Sequence, residues 1–330
     1  SVMYREKTKE GEIFGGPMYV IKNGLPKRML PLAYFFAFAG MVGCLPAFQS
    51  NQLIQITGDL AFSEIGNFNI LGGLVLAGIT GIVVIGGLKR IAEVATFLVP
   101  LMGSIYFGAM VIALILNLNQ VLPAFKLIFI DAFNGTAIAG GTFFGVLIYG
   151  VRRGAFSNEA GMGTESLVHG VAKVSNPVKQ GLVAMTGPIF DTLIICTATA
   201  LMILVSGVWE TSSSQGVTLT AEAFSILLGS FGGLILFVCV ICFGLSTIFT
   251  YSYYGASCSR FLFGKFGMKF YIYLYILSIF IYSIVPIDIA INIADGAFAM
   301  MAIPTLISAL WLAPKVMQAS KNYFKLIDNN

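Results

Sequence analysis

Residues 232–250 read GGLILFVCVICFGLSTIFT, nineteen positions without one charge. A helix rises about 1.5 Å per residue, so a run of this length covers a hydrocarbon core of roughly 30 Å. Similar runs recur along the chain, and their recurrence decides the fold class. A membrane barrel would instead show short segments of alternating polarity. The bulk numbers agree: the chain of 330 residues is 57% hydrophobic and 10% charged, with a mean hydropathy of +0.89. A soluble domain carries about 25% charged residues. The expectation is an all-α polytopic membrane protein.

About eight spans follow from the apolar runs. They are Leu30–Ile54, Ile70–Leu88, Ala92–Leu116, Gly135–Val151, Val178–Val208, Ala223–Thr250, Phe270–Val285 and Ala297–Ala313. Lys and Arg favour the cytoplasmic side of a membrane. With the amino terminus inside, eighteen of the nineteen basic residues fall on that side, leaving only Lys126 outside. The outer loops then hold Asp59, Glu64, Asp131, Glu210, Glu222, Asp288 and Asp295. The expected localisation is the cell (inner) membrane, multi-pass, with both termini cytoplasmic.

Several chemistries find no support. A single histidine, His169, excludes a multi-histidine metal site and weakens any intramembrane enzyme. Cys239 and Cys242 form a C-x-x-C inside an apolar run with no positive charge to stabilise a thiolate, so they read as packing residues. No filter-like motif marks an ion channel. The net charge of +4 follows from topology and calls for no nucleic acid. A solute site is readable instead. Gly140, Gly141, Gly145 and Gly150 interrupt one span that runs into the polar stretch GVRRGAFSNEAGMGTESLVHG, residues 150–170. Irregular backbone is tolerated at membrane depth where it lines a cavity.

Five separated strings resemble the alanine/glycine:cation symporter family, the sodium:alanine symporters. They are GEIFGGPMYVIKNGL (11–25), RRGAFSNEAGMGTESLVHGVAK (152–173), NPVKQGLVAMTGPIFDTLIICTATALMIL (176–204), STIFTYSYYG (246–255) and DGAFAMMAIPTLISAL (295–310). Two positions depart from that pattern: Tyr251 stands where the family has Trp, and Thr305 where it has Asn. The resemblance implies a leucine-transporter-like fold, with ten core helices in two inverted repeats. Two helices are expected upstream of G-G-P-M-Y, so the chain reads as N-terminally truncated, holding core helices 3–10. The corresponding division is 1–29 cytosolic loop, 30–134 remainder of the first repeat, 135–315 second repeat and 316–330 cytosolic tail. A partner would then be the upstream two-helix segment, and the alternative is a non-transporting fragment or scaffold that needs a partner segment, or an ion channel.

The implied activity is sodium-coupled symport of a small neutral amino acid, alanine or glycine in type. The sodium ion is the coupling ion, and no organic cofactor or further metal is expected. Ser246 and Thr247 are two hydroxyls in an apolar span and are the expected cation ligands. Thr247 and Tyr251 are four apart and share a helix face, which is expected to line the substrate pocket. Gln49 is a candidate for the substrate's amino or carboxylate group. The backbone at Gly141, with Phe143 and Phe144, is expected to form another wall, its free N–H groups holding a carboxylate. Arg152, Arg153, Glu159 and Glu165 are expected as an ion-pair network at a cytosolic gate.

Overall fold

The computed structural model describes residues 1–7, 11–62, 66–133 and 142–328. Two short antiparallel strands, β1 (Glu6–Lys7) and β2 (Ile13–Phe14), precede a series of helices. These are α1 (Pro17–Gly24), α2 (Leu30–Gly43), α3 (Ala47–Ala61), α4 (Phe68–Val84), α5 (Gly87–Leu116) and α6 (Leu118–Ala132). They continue as α7 (Thr142–Asn158), α8 (Glu165–His169), α9 (Pro177–Pro188), a π-helical segment (Ile189–Cys196), α10 (Thr197–Ser206) and α11 (Val208–Thr211). The last are α12 (Val217–Leu228), α13 (Ser230–Ile284) and α14 (Ile287–Asp328). Five stretches are long and apolar enough to cross a membrane: Lys27–Asp59, Gly87–Leu116, Pro177–Ser206, Ser230–Ile284 and Ile287–Ile327. The chain is an all-α, multi-pass membrane protein, with α4 and α12 as shorter apolar helices.

The helices depart from the apolar runs at points with identifiable causes. The expected span Leu30–Ile54 is two helices, broken at Cys44–Pro46. Pro46 lacks an N–H, and its ring disfavours helical geometry at Leu45. The expected loop after Leu116 holds α6; its Ala124 packs with Leu201 and Val205 of α10. Asn117, Asn119, Gln120, Lys126 and Asp131 dilute that segment's hydropathy and hide the helix from a run-length reading. The amino-terminal region, expected as a loop, contains α1, whose Met18 and Ile21 are fully buried. The expected span Gly135–Val151 starts outside the described residues and continues as α7.

The central column is α13. It packs against α2, α3, α4, α5 and α12, while α14 packs against α2 and α3. A left-handed Gly264 (φ 67°) divides α13 into two arms. The arms lie side by side: the Tyr275 hydroxyl donates to the carbonyl of Ile248 at 2.6 Å, across the turn. Gly255 makes this approach possible, because a side chain there would collide with the Tyr271 ring. Tyr271 itself is fully buried and donates to the Met41 carbonyl at 2.7 Å. That carbonyl lies in the last turn of α2, where helical acceptors lack a partner of their own. At the far end of α13, Pro286 stops the helix, and the Asn51 amide donates to the Val285 carbonyl at 2.7 Å and, at 3.4 Å, to the Tyr282 carbonyl that the missing Pro286 N–H leaves free.

Tyr271→Phe should therefore leave a buried carbonyl unpaired and cost about 1–3 kcal/mol. Thermal unfolding in detergent should show a lowered midpoint for Tyr271→Phe and an unchanged one for Tyr273→Phe, whose ring is exposed. Equal midpoints for the two variants would refute the role given to the Met41 contact.

Candidate functional site

The connection between α7 and α8, residues 159–164, has a backbone set by its sequence EAGMGT and by Asn158 just before it. The Asn158 side chain accepts from the Ala160 N–H at 2.9 Å, a turn that ends α7. Glu159, Gly161 and Gly163 follow with φ of 54°, 84° and 91°. A left-handed Glu costs energy, of order 1–3 kcal/mol, and persists only where its surroundings hold it. Those surroundings are tight. A Cβ on Gly163 would lie 2.6 Å from Pro17 Cγ and 2.7 Å from the Thr305 hydroxyl. The Met162 carbonyl accepts from Thr305 at 3.3 Å. Farther along, the backbones of Gly15 and Gly170 touch.

Glu159 points into the bundle, where its carboxylate accepts from the Tyr251 hydroxyl at 2.9 Å. Tyr251 is 4% exposed. Its ring meets Phe298 edge-on at 6.4 Å and Tyr254 at 5.5 Å. Phe156 links Phe298, at 5.3 Å, to Phe48, at 5.7 Å, in the first turn after the break at Cys44–Pro46. Glu159 is thus set against an aromatic wall drawn from α3, α7, α13 and α14. Burial pushes its carboxyl above the ordinary carboxylate range, against the pull of the Tyr251 hydrogen bond and of the Thr164 hydroxyl beside it.

Two further polar groups flank this wall. Arg153 pairs with Asp295 and lies over the rings of Tyr149 and Phe156, 5.6 and 5.4 Å from their centroids. The pair adjoins a cavity of about 380 Å³ lined by Arg152, Phe156, Met162, Asn292, Asp295 and Phe298. On the other flank, Asp191 in the π-helical segment accepts from Ser157 at 2.6 Å and from Thr192 at 3.2 Å. Asn158 donates to the Thr192 hydroxyl at 3.1 Å, tying α7 to the same segment. Such π segments are frequent at functional sites.

The sequence-derived candidates fare unequally. Tyr251 and Glu159 are brought into direct contact. Thr247 is half-buried one turn before Tyr251. Ser246 is buried, and its hydroxyl bonds back to the Phe243 carbonyl at 3.0 Å. Gln49 is half-buried beside Phe48. Phe144 is 68% exposed on α7, while Gly141 and the Phe143 side chain lie outside the described residues. The four-residue gate is not assembled as expected: Arg153 pairs with Asp295, Glu159 bonds Tyr251, Arg152 is exposed and Glu165 is half-buried at the start of α8. The Arg153–Asp295 pair also corrects the sidedness argument, which set these two residues on opposite faces of the membrane. Asp191, Asp295, Phe156 and Phe298 were missed. Asp191 had a signal, a carboxylate inside an apolar run; the two phenylalanines had none.

Comparison with known proteins follows the same strings. Residues 1–330 match the sodium:alanine symporter family. The chain is 37% identical to an uncharacterized transporter of Bacillus subtilis, over 98% of this chain and 69% of that protein. It is 35% identical to a sodium/alanine symporter of Methanococcus maripaludis, over 100% of this chain and 73% of that protein. It is 32% identical to a probable sodium/glutamine symporter of Bacillus subtilis, over 97% and 66%.

Gly163→Ala and Gly161→Ala impose the same backbone penalty, since both positions have positive φ. Only Gly163 adds collisions, because the nearest atom to a Cβ on Gly161 is Leu306 at 3.6 Å. Gly163→Ala should be the less stable variant by about 1–3 kcal/mol, read as a difference in thermal midpoints. Equal midpoints would mean that the 159–164 connection is not wedged.

Proposed function

The chain belongs to the sodium:alanine symporter family, and from that premise we propose that it carries a small neutral amino acid, alanine or glycine in type, together with sodium by alternating access. Amino-acid–cation symport, and not an enzyme reaction, is the activity of the family. The observation that carries the finer reading is Tyr251: a buried phenol, bonded to a carboxylate, one turn beyond two hydroxyls in an apolar helix. Polar groups in such a place are costly unless they serve a solute or one another.

In this reading Thr247 and Tyr251 line the pocket, with Gln49 beside the break in α2–α3 and the Gly141–Phe143–Phe144 segment supplying another wall. Ser246 and Thr247 offer hydroxyl oxygens to the sodium ion; the bond from Ser246 to Phe243 leaves the oxygen's lone pairs available. The phenol at position 251, in place of the family's indole, leaves more room in the pocket. We assign the fold to the leucine-transporter type, with repeats at 30–134 and 135–315. Both termini are cytoplasmic and the protein resides in the cell membrane. Arg152 and Glu165 belong to the same gate region as the Arg153–Asp295 pair. No observation favours the channel or scaffold readings.

Two measurements test this reading in proteoliposomes holding the full protein. Ser246→Ala with Thr247→Ala should abolish most of the sodium stimulation of alanine uptake while leaving expression intact; an unchanged sodium dependence would exclude these hydroxyls as ligands. Tyr251→Trp should narrow the set of amino acids that compete for uptake. Identical competition by larger amino acids in both forms would remove Tyr251 from the pocket wall.

A further inference from the structure

Among the described residues no cation pairs with the Glu159 carboxyl. The cations closest to it in sequence are engaged or turned away: Arg153 pairs with Asp295, and Arg152 is exposed. The groups that face it are acidic or neutral from every side. The π-helical segment offers Asp191, whose negative charge opposes that of Glu159. Glu165 of α8 couples to it in the same sense. Cys44, at the end of α2, and Tyr251 and Tyr254, on α13, are buried neutral groups that feel the Glu159 charge. Phe298 and Phe156 complete the apolar surroundings. A second observation comes from Thr164, which is fully buried beside this carboxyl. Its hydroxyl has no hydrogen bond of good geometry among the described residues.

We propose that Glu159 is a proton-binding site, in which the carboxylate takes a proton from a hydronium ion of the aqueous phase, leaving water, and becomes a neutral acid held between Tyr251 and Thr164. An ionised carboxylate only accepts hydrogen bonds, whereas a protonated one also donates. In the neutral form one oxygen keeps the bond from Tyr251, and the new O–H is given to the Thr164 oxygen. The unpaired hydroxyl gains a partner, and no charge is left against the aromatic wall. The like charges of Asp191 and Glu165 favour this form, and so does burial. Protonation also weakens the acceptor that holds the Tyr251 hydroxyl, because bonds to charged acceptors are the stronger. Through Tyr251 the bound proton reaches the amino-acid pocket, a link that rests on the pocket role given to Tyr251 above; the proton site itself does not.

The test is pH-difference infrared spectroscopy on the purified full chain, followed through the carboxylic-acid C=O band. A band that persists above the ordinary carboxyl range, about pH 4.3 for Glu, and disappears in Glu159→Gln is the expected result. Tyr251→Phe should keep the band and raise its midpoint by about one pH unit, since the lost hydroxyl favours the charged form. A spectrum unchanged by Glu159→Gln overturns the proposal. A Tyr251→Phe midpoint identical to that of the unsubstituted protein also overturns it, and decides the matter alone if the Gln variant does not fold. Loss of sodium-driven uptake with the infrared titration intact would sink the transport reading and leave the proton site standing.

Discussion

Hydrocarbon offers no hydrogen bonds, so each interruption of a helix in this bundle must be closed by a group from elsewhere in the chain. The break at Cys44–Pro46 is served by Tyr271, reaching the Met41 carbonyl from the second arm of α13. The stop at Pro286 is served by Asn51 of α3. The connection after α7 is served by Asn158 within the turn and by Thr305 from α14. The closures by Tyr271, Asn51 and Thr305 are long-range, and those of Tyr271 and Asn51 are why α13 can be the central column. A helix end that borrows its partner from another helix fixes where both must sit. An unclosed end would cost a few kcal/mol, comparable to a large part of a domain's net stability.

The same constraint explains why the strings that carry the family resemblance converge in space. The G-G-P-M-Y segment meets the N-E-A-G-M-G connection through Gly163 against Pro17, and through Gly15 against Gly170. Both departures from the family pattern touch that connection: Tyr251 through Glu159, and Thr305 through the Met162 carbonyl. An indole at position 251 would present a single N–H donor with a different reach, so the contact to Glu159 depends on the phenol. The residue proposed to enlarge the pocket is therefore also the one that bonds the carboxylate.

What could be read in advance was what composition and period encode. The apolar runs gave the helical membrane class, and the spacing of Thr247 and Tyr251 put both on one face of α13. The break at Pro46 was legible from Pro46 itself but was overridden by the length of the apolar run. Helix α6 was hidden because its polar residues dilute the hydropathy while one face still packs on α10. Asp191 was visible as a carboxylate within a hydrophobic segment. By contrast, no pattern in one sequence says that Glu159 turns toward Tyr251 or that Phe298 bridges two rings. Those contacts are set by how α3, α7, α13 and α14 pack together, and periodicity carries no information on that.

Arg153 and Asp295 show where charge counting stops being informative. Counting basic residues assigns a side to a loop, yet both of these residues lie within helices, about a turn or more from their ends. Each is about a quarter to a third exposed, so the pair borders a cavity and lacks the full weight of a buried ion pair. Its position matters more than its energy. Phe156 lies against the Arg153 guanidinium and against Phe298, and Phe298 in turn lies against Tyr251. The ion pair and the Glu159–Tyr251 bond are thus two ends of one packed row of side chains, anchored in α7, α13 and α14. Packed side chains move between discrete arrangements and do not deform continuously. A shift of α14 against α7 large enough to part Arg153 from Asp295 must therefore also reseat Phe298 against the ring of Tyr251.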